Sequence, residues 1–435
     1  MPPSVDTLGP EPSLESVDQW MQSWGRLDRR VVGKSYQGRD LVLYELSLFF
    51  SEDEEKNEEE HDIPSVLFLS LVHGNEPMGL LSLLWTVQEI LSWTGDNKVR
   101  TRKAPLDFEQ LKVRILFFPI VNVDAYTANL KVGQGCRRKN LHDNMGCAAA
   151  GVSTEVPSCS KTAAKGTGVD LNRNFPSDWD SDQSAKCTPN YGGEHPFSEP
   201  ETRAIRSVVG RYNNKNNSLV AAMSFHSRAS GDRPALLIHP YASRRPFRDL
   251  PADRAQRYRE WGSALNADHT YERVGTALET IEYWAGGTTM DWLETAHNCT
   301  TFVVEVRPPC SQRWCSMVSD KDVMRVRGHA KTSRRLLELV VSGSSSSTTT
   351  TTTSIRSSIR HGIPLLFFAL VLAVLFSRKR SCFRWLTASF VRRIQGKDKK
   401  DVAAMTNNEI VPLADPDARQ SSSTTTKRKV EVSAV

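Results

Sequence analysis

Strand-length apolar runs separated by longer stretches of helical periodicity predict an α/β protein. The expected form is three layers, α/β/α, around a mixed, largely parallel central sheet. Ile63–Val72 (IPSVLFLSLV) and Val113–Val121 (VRILFFPIV) are near-continuous apolar runs, not alternating ones. That is the pattern of strands covered on both faces. Leu219–Phe225 and Thr301–Val306 repeat it further along. Amphipathic helices are expected at Met78–Ser92, Pro251–Ala267 and Asp322–Val341. The acidic run Glu52–Glu60 reads as a solvated loop.

These elements fill residues 12–341, one large domain. Residues 1–11 are Pro-rich, carry neither the basic nor the apolar region of a signal peptide, and are expected to be disordered. Residues 342–360 read as a stalk, since 342–354 are Ser and Thr apart from one Gly. Ile363–Phe376 is an uncharged apolar run of 14 residues. A span normally takes about 20 residues, and snorkelling by Arg360 and Arg378 lengthens this one. A single transmembrane helix is therefore expected at 361–377. The basic cluster Arg378-Lys379-Arg380 with Arg384 places residues 378–435, a mostly disordered basic tail, in the cytosol. The large domain then faces the lumen or the exterior of a membrane-anchored protein.

The net charge of +6 is misleading as a whole-chain figure. Residues 378–435 hold 13 Lys/Arg against 6 Asp/Glu, a surplus of seven, which leaves residues 1–377 at about −1. The folded part has no basic surplus for nucleic acid. Cys136, Cys147, Cys159, Cys187, Cys299, Cys310 and Cys315 precede residue 320 without a C-x-x-C pair, which fits disulfides in an oxidising compartment. The sequons at Asn216 and Asn298 agree with that compartment.

Residues able to do chemistry sit at the ends of the expected strands. His73-Gly74-Asn75-Glu76 follows the first apolar run. An imidazole and a carboxylate three apart at a strand end can reach one ion, although the spacing alone also fits a polar turn. His226 closes the strand Ala222-Met223-Ser224-Phe225, at the rim where open α/β sheets place their ligands, although a single His there reads nearly as well as a structural one. Two His and one Glu leave a fourth position open, a catalytic rather than a structural composition. In Gly168-Val169-Asp170-Leu171-Asn172-Arg173, Arg173 offers a planar fork for a carboxylate, with Asn172 adding amide donors. Alone, the Asn-Arg pair reads by default as a surface ion-pairing site. Glu305 stands inside an apolar strand, costly unless it has a partner or a task. The task available beside a metal is that of general base; the alternative is an ion pair with Arg307.

Taken in this order, the elements resemble the zinc carboxypeptidases of the carboxypeptidase A type over about residues 12–340. The resemblance takes in residues 33–40 (GKSYQGRD), Tyr191-Gly192-Gly193, and Pro196-Phe197-Ser198-Glu199-Pro200-Glu201-Thr202, a signature stretch before a helix. It implies one zinc ion held by His73, Glu76 and His226, with Asp170 orienting the His73 ring. It implies Arg138 on the oxyanion, Arg137 beside it leaving a one-residue ambiguity. Asn172 and Arg173 would hold the substrate's C-terminal carboxylate, Tyr283 would cover the bound residue, and Glu305 would be the general base. Met290, in Gly286-Gly287-Thr288-Thr289-Met290-Asp291, would floor the specificity pocket, with Ala242 as a second position. Neither is acidic, which points to apolar or aromatic C-terminal residues.

Several positions depart from the family pattern. Asn75 replaces the arginine frequent in the digestive branch. The family's Asn-Pro-Asp-Gly turn reads Asn122-Val123-Asp124-Ala125, and the segment from Arg138 to Asp170 is long and holds two cysteines. The expected activity is removal of C-terminal residues from peptides or proteins. The rivals are a non-catalytic receptor or adhesion module that kept the fold, and a related hydrolase with basic or acidic specificity.

Overall fold

The computed structural model describes residues 2–47, 63–93, 113–132, 137–143, 147, 166–179, 185–214, 217–227, 235–306 and 320–345. The helices are α1 (Leu14–Gln22), α2 (Pro77–Trp93), α3 (Val123–Val132), α4 (Pro200–Tyr212), α5 (Ala252–Leu265), α6 (Ala277–Thr280), α7 (Thr289–His297) and α8 (Asp320–Ser345). The strands are β1 (Asp28–Lys34), β2 (Asp40–Ser47), β3 (Ile63–Ser70), β4 (Arg114–Phe118), β5 (Asn217–Ser227), β6 (Leu236–Ile238), β7 (Arg273–Gly275) and β8 (Thr300–Val306). They form one sheet in the order β1-β2-β4-β3-β5-β8-β6-β7. The four central strands β4-β3-β5-β8 pair in parallel, while β1, β2 and β6 enter antiparallel to their inner neighbours. The mixed sheet with a parallel core is the expected one.

The burial of β3, β4 and β8 explains the layers. Successive strand residues point to opposite faces, yet nearly every residue of these strands is buried. Both faces are therefore covered by helices, which is why the strands lack alternation. Phe117, Phe68 and Phe225 stack across β4, β3 and β5, with ring centroids 5.8 and 6.4 Å apart. On α2 and α8, Thr86 and Ser333 approach through their buried hydroxyls at 2.9 Å. The edge strand β1 is largely exposed.

Three expectations change. Residues 1–11 are not a disordered lead-in: Val5–Leu8 forms a 3₁₀ turn, and Val5 is buried with its amide donating to Gln88 Oε1 at 2.8 Å. The Trp20 indole donates to the Pro3 carbonyl, which fastens the segment again. The composition there hides two anchors, one apolar residue and one backbone acceptor. Helix α8 runs to Ser345, four residues into the expected stalk. Cys299 is a buried free thiol, pushed up to about 12 by burial, whereas Cys147 and Cys187 form a disulfide. The expected loop at 52–60, span at 361–377 and tail at 378–435 lie outside the described residues. Among the described residues no helix is long and apolar enough to cross a membrane.

A buried ion pair fastens the helices behind the site to β8. Arg254 of α5 donates through Nε to Glu294 Oε1 of α7 at 2.9 Å and through a terminal nitrogen to Thr300 Oγ1 at 3.1 Å. The Tyr258 hydroxyl donates to Glu294 and accepts from the Thr301 amide. Removing one partner would leave the other charge buried and unpaired, at a cost of about 3–5 kcal/mol. Arg254→Ala should lower unfolding stability by that amount in a urea titration. A loss below about 1 kcal/mol would show that the pair is not the fastening it resembles.

Candidate active site

The parallel core delivers three side chains to one edge. Strand β3 ends at Ser70, and Leu71, at a φ of +48°, turns the chain so that His73 lies just beyond the strand's carboxyl end. His226 stands at the same end of the neighbouring β5, and Glu305 of β8 is its direct register partner. Adjacent parallel strands thus place an imidazole, an imidazole and a carboxylate side by side, at the rim where α/β sheets bind ligands. Glu76 follows in the turn that opens α2.

His73 Nδ1 lies 2.9 Å from Glu76 Oε1, His226 Nδ1 lies 2.9 Å from Glu76 Oε2, and the two Nδ1 atoms are 3.1 Å apart. His73 Nε2 meets Asp170 Oδ1 at 3.0 Å. Burial alone would raise the Asp170 carboxyl, but Arg138 and His73 outweigh it and hold it well below the usual carboxylate range. An ionised carboxylate only accepts, so the His73 proton is fixed on Nε2 and the Nδ1 lone pair faces Glu76 and His226. All three groups are buried. Lone pairs and a carboxylate converging in a dry setting need positive charge between them, supplied by protons or by a metal ion. Two nitrogen donors and one carboxylate facing a cavity suit zinc with an open position. These three form the one candidate ion-binding group of His, Cys, Asp and Glu among the described residues.

The cavity beside the triad holds about 220 Å³ and is lined by His73, Glu76, Arg138, Asn172, Arg173, His226, Tyr283, Met290 and Glu305. Every site residue singled out in the sequence, apart from Asp170 behind His73, therefore faces one space. Arg138 donates to both Asp170 and Glu76. Arg137 turns away, donating to the Asn140 carbonyl and Thr167 Oγ1. Between the two arginines, Arg138 is the one in the site. Asn172 Oδ1 accepts from the Thr289 amide at the start of α7, leaving its NH₂ end as the group a ligand can use. Arg173 is only 5% exposed, and among the described residues no carboxylate is in ion-pair contact with it. Burial, and then the Glu76 carboxylate, push the Glu305 carboxyl above its ordinary value.

One part of the cavity lining is apolar: Ile238, Ala242, Ala277, Ile281, Ala285, Met290 and Val303 belong to a single hydrophobic cluster. Asp291, next to Met290, is absent from that lining and accepts instead from the amides of Ala242 and Ser243. Burial raises it to about 6 against those bonds. Tyr283 is half exposed at the rim.

Two glycines let the segments close. A Cβ on Gly74 would fall 2.4 Å from the Ala125 Cβ and 2.9 Å from the Arg137 carbonyl oxygen. The Gly74 amide instead donates to the Arg138 carbonyl at 3.0 Å. Gly287, at a φ of +68°, lies where a Cβ would come 2.3 Å from the Arg173 carbonyl oxygen, so the segment carrying Tyr283 and Met290 can lie directly on Arg173.

Sequence reasoning missed the buried asparagines that tie these segments together. Asn122, read as a turn residue, donates to the carbonyls of Val72 and Arg138, joining the His73 arm to the Arg138 arm. Asn140 and Asn174 do comparable work next to Arg138 and Arg173. Their positions two and one residues after those arginines are the only sequence hint, because loops have no periodicity to betray a buried side chain.

An α/β sheet with two imidazoles and a carboxylate converging at its rim, and a second carboxylate in register with one of the imidazoles, has the composition of a metal-dependent hydrolase site. The profile of the zinc carboxypeptidases matches residues 18–316, and the chain belongs to that family. It is 23% identical over 311 residues to carboxypeptidase A5 of Macaca fascicularis, covering 68% of this chain and 59% of that protein. It is 26% identical over 241 residues to carboxypeptidase O of Bos taurus, covering 54% and 55%. The chain thus spans little more than half the length of these two relatives. Carboxypeptidase A from Helicoverpa armigera shares the fold at a TM-score of 0.55 and 18% identity, over 78% of this chain and 76% of that one. Bovine thrombin-activatable fibrinolysis inhibitor shares it at 0.54 and 22%, over 76% and 97%.

Proposed function

We propose that the protein is a zinc-dependent exopeptidase that hydrolyses the C-terminal peptide bond of peptides or proteins, with a preference for apolar or aromatic final residues. One observation carries this reading: the buried guanidinium of Arg173, without a carboxylate partner among the described residues, shares a cavity with His73, Glu76, His226 and Glu305. The guanidinium donates to the Asn172 carbonyl and shares its field with Asp170. With no carboxylate in ion-pair contact among the described residues, its fork can take an anion from outside. A substrate's free C-terminal carboxylate fits the planar fork, and the Asn172 NH₂ group adds a second donor.

Docked there, the final side chain enters the apolar part of the cavity, and Tyr283 at the rim covers it. His73, Glu76 and His226 would hold one zinc ion, which when bound polarises the scissile carbonyl and acidifies water. Glu305 accepts the water proton and delivers it to the leaving amine nitrogen. Arg138 donates to the oxygen on which negative charge develops. Asp170 keeps the His73 lone pair aimed at the triad and steadies the Arg138 guanidinium.

Glu305→Gln should keep the metal and lose activity, since general acid–base catalysis contributes about 10²–10⁴-fold. Steady-state assay on a blocked dipeptide, with metal analysis of the same sample, checks both halves. More than about a hundredth of wild-type kcat in the Gln variant would remove Glu305 from the role.

The ratio of kcat/KM for C-terminal Phe over C-terminal Arg tests the pocket. Wild type should favour Phe, because burying an aromatic side chain contributes roughly 1.5–3 kcal/mol. An Arg side chain would be desolvated there without a partner. Met290→Asp should lower the ratio at least about tenfold. An unmoved ratio would place the pocket elsewhere.

A further inference from the structure

The stretch Ser198-Glu199-Pro200-Glu201-Thr202 lies outside the cavity, yet it is buried under both arms of the site. Glu199, Glu201 and Thr202 are fully buried at the start of α4. Above them lie two buried asparagines whose side-chain bonds run in opposite directions. Asn140 Nδ2 donates to Glu199 Oε2 at 2.7 Å and to Glu201 Oε2 at 3.2 Å, while its Oδ1 accepts from the Val169 amide at 2.8 Å. The Asn140 amide donates back to the Val169 carbonyl at 3.1 Å. Val169 precedes Asp170, and Asn140 follows Arg138 by two residues, so this one side chain and its backbone join the two segments whose side chains meet as Arg138 and Asp170. Gly168 permits the approach: at its φ of +95° a Cβ would fall 2.1 Å from the Asn140 carbonyl oxygen. Asn174, directly after Arg173, takes the other half. Its Oδ1 accepts from Thr202 Oγ1 at 2.6 Å and its Nδ2 donates to Ser198 Oγ at 2.8 Å.

We propose that Asn140 and Asn174 are positioning residues, held by the Ser198–Thr202 stretch, that set the two halves of the site separately: Asn140 the Arg138–Asp170 pair, and Asn174 the Asn172–Arg173 clamp. The assignment rests on the carboxypeptidase reading of the site. Because Arg138 acts on charge that develops during reaction, an error passed through Asn140 appears in kcat. Because Arg173 holds the substrate's carboxylate before and during reaction, an error passed through Asn174 appears in KM. A merely structural role would move both parameters together, along with stability.

The test uses the full chain and a blocked dipeptide ending in Phe. Asn140→Ala should lower kcat by about ten- to a hundredfold, the scale of a catalytic group displaced by an ångström, and leave KM within about threefold. In an Arg138→Ala background the same substitution should cost less than about threefold, since its route of action is gone. Asn174→Ala should raise KM about tenfold with a smaller change in kcat. If Asn140→Ala does not fold, Glu201→Gln decides. It keeps the shape but turns an NH₂ group toward one of two donors, the Asn140 amide or the Tyr36 backbone amide, and should lower kcat about three- to tenfold. Wild-type hydrolysis with kcat unchanged in Asn140→Ala and Glu201→Gln, or with KM unchanged in Asn174→Ala, overturns the inference alone. So does an equal loss of kcat with and without Arg138. No hydrolysis by the wild type overturns the functional reading and this inference with it.

Discussion

The structure is organised around an unfavourable convergence. Two imidazole Nδ1 atoms and a carboxylate meet within about 3 Å in a buried place, and such an arrangement persists only with protons or a metal ion between them. Everything nearby serves to hold it. Asp170 fixes which nitrogen of His73 carries the proton, and the Ser227 amide donates to Glu76 Oε2 at 3.2 Å. Gly79 lets the first turn of α2 approach β5, where a Cβ would lie 2.6 Å from the Phe225 carbonyl oxygen. The parallel pairing of β3, β5 and β8 fixes the spacing, because a one-residue slip of β5 against β8 would turn either His226 or Glu305 to the opposite face.

Around that centre the loops are built from polar backbone bridges. Asn122, Asn140 and Asn174 each occupy a fully buried position and use both ends of the amide. A buried amide is tolerated only when its bonds are made, and once made they fix the distance between two chain segments more tightly than apolar contact can. This is why Arg138 and Arg173, which come from outside the strands, can be held against a rigid sheet edge. The disulfide between Cys147 and Cys187 adds a covalent tie between the arm that follows Arg138 and the loop that leads to Tyr191.

The sequence disclosed the central strands because burial on both faces leaves a continuous apolar run, a signal independent of partners. It disclosed His73, His226 and Glu305 because a polar residue closing such a run is conspicuous. The three-residue strands β6 and β7 had no such signal, being too short to show a pattern. The resemblance favoured Arg138 over Arg137 but left a one-residue ambiguity, because the register depends on the pairing of Gly74 with the Arg138 carbonyl. The pairing of Cys147 with Cys187 was equally closed, because spacing does not determine connectivity. Proline content concealed the order of residues 2–11, which comes from contacts with α1 and α2 and not from any local preference.

The most direct test of the convergent triad is a zinc titration of the chelator-stripped protein, following bound metal and hydrolysis of a blocked Phe dipeptide in the same sample. The account predicts saturation at one equivalent per chain, with activity rising in proportion, and no tight binding in His226→Ala, which lacks one of the three donors. Full hydrolysis by metal-free protein, or tight one-to-one zinc binding retained without His226, would contradict it.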